Sequence, residues 1–552
     1  MWNHRAIGIV IAALVLAAFA RIGRHEFAGF DDAATIYHNP HLNPPTLRGI
    51  LYYWTTPELG LYIPATYTVW GTLAQVGYLD EPDDKGIHLN PWVFHTASIL
   101  FHVASTLVVF AILRHILQTL WPAAIGALIF GLHPLQVETV AWASGMKDLL
   151  AGFLSLLALW QYLRFLDPAE SRTQTSHYAL ATFCLTLAML AKPIAMVVPF
   201  MAAALAHWVA GRSWRQVATT LWPWAILSFA CAILTRVIQP AIGVPTTPAW
   251  TRPLIAADAL AFYLYKLICP LSLAVDYGRR PVAVMSSGWV AITWMMPAFV
   301  GLLLWIVRKR YPLLIVAGFI FVIGLVPVLG LVPFEFQGYS TVSDHYLYLP
   351  MLGIALAAAW ATGRIHTRAG IAACCVVVMA LGIRSFLQAK HWATDEELWA
   401  HTLEVNPDSW VANVRVGTRL ASIGKAHEGA DRFRHALQVH PDYGPAHRNL
   451  AVYLASTGKF EEAISHVQTM IDIANQSPGR RQSELASAYA LWGTLLMDRG
   501  QYREAAEKLR RALQEKPDDA ETVENLRIAE QQMTRSGPPS TRPTGEGVPN
   551  PH

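Results

Sequence analysis

Charged residues are scarce in this chain of 552 residues. Asp, Glu, Lys and Arg make up 14% of it, and the net charge is only +4. Soluble globular proteins contain about 25% charged residues, so the composition excludes that class. Hydrophobic residues reach 54% and the mean hydropathy is +0.32, which predicts a protein with several membrane spans. The small and dispersed positive charge also argues against a nucleic-acid partner.

Cysteine is rare, and the first apolar run lacks a small-residue cleavage site. The five cysteines lie in or beside apolar segments without the spacing of metal ligands, so we expect no disulfide framework and no cysteine metal site. The first apolar run, 6–22, is followed by Arg21, Arg24 and His25. We therefore interpret it as a retained first span rather than a cleaved signal peptide.

Eleven apolar stretches have spanning length and predict an all-α, polytopic membrane fold. They lie near 6–22, 91–113, 121–141, 148–166, 177–191, 194–210, 217–237, 289–307, 313–333, 346–362 and 370–388. A shorter apolar piece, 255–275, contains Asp258, Lys266 and Pro270, and we interpret it as re-entrant or interfacial. Basic residues recur in alternate loops, so the positive-inside rule predicts a cytoplasmic N-terminus and an outer location for everything after about residue 390.

The last part of the chain is polar and repeats with a period of about 34 residues, which predicts a tetratricopeptide-repeat (TPR) solenoid. In the unit from Trp410 to Tyr443, small, aromatic and proline residues occupy the TPR positions: Gly417, Phe433, Ala436 and Pro441. Further units begin at Gly444 and Ala486, with an insertion around 475–482 between them. We expect the helix at 395–407 to cap the array and the Pro/Gly-rich tail to be disordered.

Acidic and basic side chains gather in the loops and span ends that are predicted to lie outside. They are Asp31, Asp32, His95, His133, Glu138, Lys147, Asp148, Lys192, Lys266, Asp344 and His345. A charge near the membrane interior costs free energy and points to function by default. The pattern predicts an active site at the boundary between water and lipid.

Asp31 and Asp32 follow almost directly after the first span. A carboxylate in this position accepts a proton from an incoming hydroxyl or holds a divalent metal. The simpler alternative is a solvated loop after a helix. A divalent metal is therefore the one cofactor that these residues suggest, and the sequence does not decide between it and a proton acceptor.

Three basic residues in the cluster each leave two interpretations open. Lys147 suits a phosphate, or it forms a neutralising pair with Asp148. Lys192 stands in a short break between apolar runs, where it binds an anion or extends its ammonium outward to water. His345 serves a phosphate when protonated, or it pairs with Asp344.

Three further histidines, His95, His102 and His133, lie on predicted helices or at their ends. His133 and Glu138 anchor each other or a ligand on this interpretation. His95 and His102 share one helix face. His102 is expected to be a buried, hydrogen-bonded core residue, whereas His95 lies nearer the outer end.

Four motifs in this order, followed by TPRs, resemble the transmembrane-and-TPR protein O-mannosyltransferases, most of all their bacterial relatives. The motifs are FDDAATIYHNPHL, HPLQVETVAWASGMKDLLAG, LAKPIAMVVPF and SDHYLYLPMLG. The resemblance covers roughly residues 6–530. It implies a glycosyltransferase of the GT-C superfamily with a membrane domain over 1–390, a first outer loop at 23–90, an extracytoplasmic TPR domain at 391–534 and a tail at 535–552.

The resemblance also implies a reaction. The donor is a sugar, mannose in the first instance, on a polyprenyl or dolichyl phosphate, and the acceptor is a protein hydroxyl. Asp31 and Asp32 take the place of the family's catalytic acidic pair, with Asp31 accepting the hydroxyl proton. Lys147, Lys192 and His345 stabilise the departing phosphate. His345 replaces the arginine of a family motif, so donor binding is expected to depend on pH or on the lysines.

In the TPR array, Arg415, Arg448 and Asn449 are candidates for gripping an extended peptide acceptor. Two alternatives stand beside the transferase. One is a catalytically inactive membrane-anchored scaffold that gathers envelope proteins. The other is a transporter or lipid flippase, which requires charges near the bilayer midplane and paired halves that the sequence lacks. The resemblance suggests a bacterial inner membrane with a periplasmic TPR domain.

Overall fold

A computed structural model of the protein describes residues 3–170, 172–239, 247–476 and 481–535. Within these ranges the chain forms helices and no β-strand, apart from three isolated β-bridges, in agreement with the predicted all-α class. Residues 536–552 of the tail predicted as disordered, and 477–480 of the predicted insertion, lie outside the described residues.

The chain divides into two compact units, Met1–Pro407 and Asp408–His552. The sequence analysis predicts this boundary at 390 and expects the segment 395–407 to cap the repeats. In the structure, this segment belongs to the first unit instead. Its N-terminal residue shows why: an oxygen of the Asp395 carboxylate accepts a 2.7 Å hydrogen bond from the backbone N–H of Gly29. We name the two parts the membrane unit and the repeat unit.

The membrane unit contains eighteen α-helices within the described residues. They are α1 (His4–Phe19), α2 (Leu47–Tyr52), α3 (Pro64–Gly77), α4 (Pro91–Leu117), α5 (Leu120–Leu132), α6 (Val137–Ala141), α7 (Met146–Leu166), α8 (Gln174–Ala191), α9 (Val198–Ala204), α10 (Trp214–Ile238), α11 (Arg252–Ile268), α12 (Pro281–Ser286), α13 (Val290–Thr293), α14 (Met295–Val307), α15 (Pro312–Leu325), α16 (Met351–Thr362), α17 (Arg368–Ala389) and α18 (Asp395–Val405).

Six helical segments in the described part of the chain are long and apolar enough to cross a membrane, which makes the chain a membrane protein. They are His4–Arg24, Pro91–Leu117, Ala143–Leu166, Trp214–Ile238, Val290–Val307 and Arg368–Trp392. The α5–α6 pair makes a seventh if its 49° bend lies within one span. Three more of the eleven predicted spans fold as apolar helices that are shorter than a full span. By length and composition, the described residues therefore contain fewer full-length spans than the eleven predicted. The segment predicted as re-entrant or interfacial, 255–275, is not among the candidate spans.

Glycines set the spacing of the helices around the site, because they bring backbones and rings too close for a side chain. A Cβ at Gly152 of α7 would lie 2.4 Å from the Tyr348 ring. A Cβ at Gly353 of α16 would lie 2.3 Å from the carbonyl oxygen of Ala317 in α15. The first contact holds α7 against the segment 343–350, and both of these contribute residues to the site, whereas the second holds α16 against α15.

The repeat unit consists of helical hairpins, as predicted. Its helices are α19 (Trp410–Ser422), α20 (Ala426–Val439), α21 (Gly444–Ser456), α22 (Phe460–Asn475), α23 (Arg481–Asp498), α24 (Tyr502–Glu515) and α25 (Ala520–Arg535). Gly417 packs against the Phe433 ring, and Gly493 packs against Leu509, where any side chain would collide. The third unit begins at Arg481, a few residues before the predicted start at Ala486.

Candidate active site

Asp31 and Asp32 are adjacent in sequence but have opposite environments. The Asp32 carboxylate is fully buried and accepts three hydrogen bonds: from the backbone N–H of Ala28 at 2.9 Å, and from the backbone N–H and hydroxyl of Ser144 at 2.8 and 2.6 Å. The Asp31 side chain is 42% exposed. Asp32 therefore holds the turn in place, and the Asp31 carboxylate is accessible to molecules that approach from the solvent.

Two hydroxyls extend the anchor from Asp32 back to Asp31. The Ser144 and Thr35 hydroxyl oxygens lie 2.7 Å apart, and the Thr35 hydroxyl donates to the carbonyl oxygen of Asp31 at 2.9 Å. Burial raises the pKa of Asp32 to about 7, although the hydrogen bonds from Ser144 and Ala28 oppose this effect. Thr35 and Ser144 could not be recognised from the sequence, since isolated hydroxyl residues are common in apolar segments.

Lys147 is the nearest cation to Asp31. It lies in the first turn of α7, its ammonium nitrogen is 3.6 Å from an Asp31 carboxylate oxygen, and it stacks 4.5 Å from the centre of the Trp142 ring. The alternative that Lys147 pairs with its neighbour Asp148 is wrong. Successive residues of a helix point in directions about 100° apart, so the two side chains face different partners.

Asp148 instead holds Lys192. The Lys192 ammonium donates to both carboxylate oxygens of Asp148, at 2.6 and 2.7 Å, and lies 5.9 Å from the centre of the Tyr346 ring. Lys192 ends α8, and only 16% of its side chain is exposed. The alternative in which this ammonium extends outward to water is therefore wrong, because it is turned inward onto a buried carboxylate.

His345 pairs with Glu138 and not with Asp344. Its Nδ1 atom lies 2.5 Å from a Glu138 carboxylate oxygen, which also accepts a 2.8 Å hydrogen bond from the Ser343 hydroxyl. The His345 ring contacts Trp142, 5.6 Å between ring centres, which connects this pair to Lys147. Because Glu138 bonds to His345 and Ser343, it does not form the predicted contact with His133.

Asp344 faces a different neighbour. The Tyr277 hydroxyl lies 2.8 and 3.0 Å from its two carboxylate oxygens. Burial, followed by repulsion from the nearby Glu138 carboxylate, raises the pKa of Asp344 well above its ordinary value. Asp344 thus supports the segment that carries His345, and Tyr277 is a site neighbour that the sequence did not reveal.

Three of the predicted site residues have structural partners outside the cluster. His95 is buried and bonds to the Glu26 carbonyl oxygen, and His133 bonds to the Leu267 carbonyl oxygen. The Lys266 ammonium donates to the carbonyl oxygens of Leu271 and Ser272, at 2.6 and 3.0 Å. The structure does not bring these residues to Asp31. His102 bonds through both ring nitrogens, to Tyr348 and Gly131, as expected for a core histidine.

The loop that holds Asp31 is closed by the far end of the membrane unit. Besides the bond from Gly29 to Asp395, the backbone N–H of Glu26 donates to the carbonyl oxygen of Ala393 at 3.0 Å. A Cβ at Gly29 would lie 2.6 Å from an Asp395 oxygen, so a side chain there would displace the Asp395 carboxylate. Neither contact is foreseeable from local sequence, because 366 positions separate Gly29 from Asp395.

A metal at the acidic pair would have few ligands. Both oxygens of Asp32 already accept hydrogen bonds from the protein, which leaves Asp31 as the exposed carboxylate. In the residues that the structure describes, no three His, Cys, Asp or Glu side chains come together in a way that could hold a metal ion. The geometry suits Asp31 as a proton acceptor better than as one of a pair of metal ligands.

The predicted acceptor-binding residues lie on the first helices of successive repeats. Arg415 of α19 and Arg448 of α21 have exposed side chains, and the Arg448 guanidinium donates to the Ser487 hydroxyl at 3.2 Å. The Asn449 amide donates to the Thr418 hydroxyl at 2.9 Å, which links α21 to α19. Asn449 thus has a packing role between repeats as well.

The chain is similar to several proteins named as protein O-mannosyl-transferases. It is 24% identical to human TMTC4 over 75% of this chain and 64% of that protein, and 22% identical to F38B6.6 of Caenorhabditis elegans over 72% and 57%. It is 28% identical to Tmtc2 of Drosophila melanogaster over 36% and 23%. The tetratricopeptide-repeat family matches residues 442–514. The chain is a relative of the TMTC proteins.

The match to TMTC4 extends over 483 residues, far more than the repeat unit contains, so the likeness to this TMTC protein includes the membrane unit. The matched regions cover less than two thirds of the length of these TMTC proteins. The relationship thus concerns the unit that holds the cluster of Asp31, Lys147 and Lys192 as well as the repeats.

Proposed function

We propose that this chain transfers a sugar from a polyprenyl phosphate to a protein hydroxyl, with mannose as the first candidate for the sugar. One observation carries the proposal: the exposed Asp31 carboxylate is fixed by a buried anchor while cations lie close by. A base must be reachable and positioned, and a departing phosphate needs positive charge. Both requirements are met within one cluster, and the relatives' names point to the same chemistry.

The proposed reaction is an inverting displacement. Asp31 takes the proton of the acceptor hydroxyl as its oxygen bonds to the anomeric carbon of the sugar. The bond from that carbon to the phosphate oxygen breaks, and the electron pair leaves with the polyprenyl phosphate. A phosphate leaving group needs no proton, so one carboxylate suffices. Asp32 and Ser144 hold the Asp31 turn in place through the hydrogen bonds described above.

Lys147, Lys192 and His345 would stabilise the departing phosphate. Each has a carboxylate beside it, so the cluster is close to neutral before the donor arrives. The Nδ1 atom of His345 faces Glu138, which leaves Nε2 to address the donor.

An apolar groove beside Lys192 suits the lipid part of such a donor. It has a volume of about 180 Å³ and is lined by residues 60–62, by α8 and by α10, including Met189, Pro193, Leu227 and Leu234. Pro193 follows Lys192 directly in the chain. A phosphate at the Lys192 ammonium could therefore continue into an isoprenoid chain within this groove.

The cluster would lie on the extracytoplasmic face. Asp31 follows the end of the first span, and Lys147 lies at the start of α7, whereas the last turns of α4 and α7 carry Arg114 and Arg164, as expected for a cytoplasmic side. The N-terminus would then be cytoplasmic and the repeat unit periplasmic, in a bacterial inner membrane. There, Arg415 and Arg448 would hold the protein acceptor.

The test uses the full chain in lipid nanodiscs with radiolabelled polyprenyl-phosphate mannose and a membrane-protein-depleted periplasmic extract. We expect label to move into protein with the wild type. Asp31→Asn should lower the rate by about 10²–10⁴-fold, the usual contribution of a positioned base. Asp84→Asn is the matched control, because Asp84 is an exposed carboxylate in the same outer loop.

Three results would decide between the candidates. Equal transfer by the wild type and Asp31→Asn would refute the assigned base. Donor binding without transfer by either protein would favour the catalytically inactive scaffold. A chelator that abolishes transfer, followed by recovery of transfer on addition of Mg²⁺ or Mn²⁺, would support a metal site at the acidic pair.

A further inference from the structure

Asp395, the first residue of α18, contacts the loop that carries Asp31 near the opposite end of the chain's membrane unit. The backbone N–H of Gly29 donates to the Asp395 Oδ1 atom at 2.7 Å, and the Trp399 indole N–H donates to the same oxygen at 2.9 Å. One bond therefore reaches the loop, while the other fixes the carboxylate on its own helix. None of the four sequence motifs includes Asp395, and the proposed transfer reaction does not use it.

Aromatic rings add a second contact, one residue closer to Asp31. The Phe30 ring lies 5.8 Å from the Trp399 ring of α18 and 5.7 Å from the Trp142 ring, measured between ring centres. Both tryptophans are buried, so these edge and tilted contacts restrict where Phe30 can lie. α18 thus holds Gly29 through a hydrogen bond and Phe30 through ring packing, directly before Asp31 in the chain.

The fit between Gly29 and Asp395 is close. A Cβ at Gly29 would lie 2.6 and 2.9 Å from the two Asp395 carboxylate oxygens and 3.0 Å from the carboxyl carbon, and these are its three nearest atoms. Gly29 is not among the residues with a positive φ, so its backbone accepts a side chain. The Asp395 carboxylate is therefore the first group that an alanine at position 29 would displace.

The electrostatics of the helix start do not explain this contact. The first turn of α18 contains Asp395, Glu396 and Glu397, and a carboxylate at any of these positions is favourable there. The bond from Gly29, however, joins residues that are 366 positions apart and draws on the carboxylate of Asp395. An acidic residue at the helix start is thus expected, whereas its contact with the loop of Asp31 requires a further reason.

We propose that Asp395 is a positioning residue that fixes the loop on the N-terminal side of Asp31. Asp32 and Ser144 fix the chain on its C-terminal side through their own hydrogen bonds. The Asp31 side chain is 42% exposed, so its position depends largely on how firmly the backbone is held. A base displaced by about 1 Å loses much of its effect on the rate. The effect on Asp31 as a base rests on the proposed function, whereas the fixing of the loop does not.

Hydrogen exchange of the full chain in lipid nanodiscs tests whether Asp395 fixes the loop, without any substrate. Asp395→Ala should make the Gly29 amide exchange at least about tenfold faster, because its N–H loses the acceptor. Asp395→Asn keeps a carbonyl oxygen at the same position and should retain most of the protection. Glu404→Ala is the matched control, because it removes an exposed carboxylate from the same helix, and it should leave the exchange of Gly29 unchanged. Wild-type exchange in Asp395→Ala would overturn the proposal.

Sugar-transfer kinetics test the consequence for Asp31. Asp395→Ala should lower kcat by about tenfold with little change in KM for the donor, and Asp395→Asn should retain most of the rate. Gly29→Ala should cause a similar loss, because its methyl group displaces the same carboxylate. The double variant Gly29→Ala/Asp395→Ala should be no worse than the worse single variant, since both changes break one contact. Gly29→Ala also tests the contact from the loop side if Asp395→Ala does not fold.

The outcomes separate this proposal from the proposed function. A wild type that transfers no sugar would refute the proposed function, and the hydrogen exchange of Gly29 would still decide whether Asp395 fixes the loop. If the wild type transfers sugar, an unchanged kcat in Asp395→Ala would overturn the positioning role. Multiplied losses in the double variant would overturn it as well, because Gly29 and Asp395 would then act separately.

Discussion

The membrane unit has two polar ends, and they treat positive charge in opposite ways. In the candidate active site, Lys147, Lys192 and His345 each lie beside a carboxylate: Asp31, Asp148 and Glu138. At the opposite end, a polar cavity of about 500 Å³, the basic pocket, is lined by His4, Arg114, His115 and Arg164 among other residues. One helix, α7, supplies residues to both ends: Lys147 and Asp148 at its start and Arg164 in its last turn.

The difference follows from burial. Removing a lone charge from water costs several kcal/mol, so the nearly buried Lys192 and His345 require partners if the unit is to fold. In the basic pocket Arg114 is exposed, so water solvates its guanidinium group. Burial thus requires a counter-charge in the candidate active site, whereas exposure removes that requirement for Arg114.

The largest expected effect comes from breaking a pair in the site. Asp148→Asn leaves the Lys192 ammonium mostly buried without its counter-charge, and it should destabilise the protein by about 3–5 kcal/mol. Arg114→Gln in the basic pocket should change stability by less than about 0.5 kcal/mol. Thermal unfolding in one detergent compares the two variants, and similar losses from both would contradict the contrast drawn above.

The pH dependence of stability should come next in size. Burial raises the pKa of Asp32 to about 7 from 3.8. Because the folded state binds this proton more tightly than the unfolded chain, the stabilisation is complete below pH 3.8 and is lost as the pH rises through about 7. Tm should therefore fall between about pH 5 and about pH 8, with a contribution of a few kcal/mol at most.

The control for this effect is a comparison of slopes. Asp32→Asn should remove the Asp32 contribution to the slope of Tm against pH, whatever its effect on Tm itself. Asp84→Asn should keep the wild-type slope, since Asp84 is exposed. An unchanged slope in Asp32→Asn would mean that Asp32 does not titrate in this range.

A smaller effect is expected from the hydroxyls that position Asp31. Ser144→Ala removes the 2.6 Å bond to Asp32 and the contact to Thr35, and it should lower kcat by about tenfold with little change in KM for the donor. Thr35→Val breaks the same chain one step further on. The double variant should be no worse than the worse single variant, because both act through one network.

That network is tested by kinetics with saturating donor and acceptor. Multiplied losses in the double variant would show that Ser144 and Thr35 act independently. A higher donor KM with unchanged kcat would place Ser144 in donor binding and not in the positioning of Asp31.

The smallest effect is expected where the two ends are functionally independent. Arg114→Gln should change sugar transfer by less than about twofold, because Arg114 lies about 35 Å from the start of α4. The measurement is the transfer rate in nanodiscs of neutral lipid. A tenfold loss there would mean that the ends are coupled and that the contrast between them is incomplete.

Much of the architecture was predictable because its signals are local. Apolar runs of spanning length predicted the membrane helices. Gly417 and Phe433 predicted the packing inside the first repeat. The gathering of polar residues at one end of the spans also predicted a cluster that includes Asp31, Lys147 and Lys192.

The pairing of charges was not predictable, because it depends on contacts between distant segments. Neighbours in sequence suggested Lys147 with Asp148 and His345 with Asp344, yet helix geometry separates the first pair, and a residue 207 positions away binds His345. Lys266 donates to two carbonyl oxygens at the end of its own helix, in a loop whose conformation its sequence does not specify. The prediction that Lys266 binds the donor phosphate rested only on its position in an apolar segment, and such a position is also explained by these bonds to backbone carbonyl oxygens.

The bond between Gly29 and Asp395 has a consequence for the order of assembly. A ribosome adds roughly 5 to 20 residues per second, so the 366 positions between them take roughly 20 to 70 seconds to synthesise. Throughout that time the segment with Asp31 lacks the partner that closes it. The nascent chain acquires a finished site only after its last membrane helix has been made, so early intermediates in membrane insertion do not yet contain it.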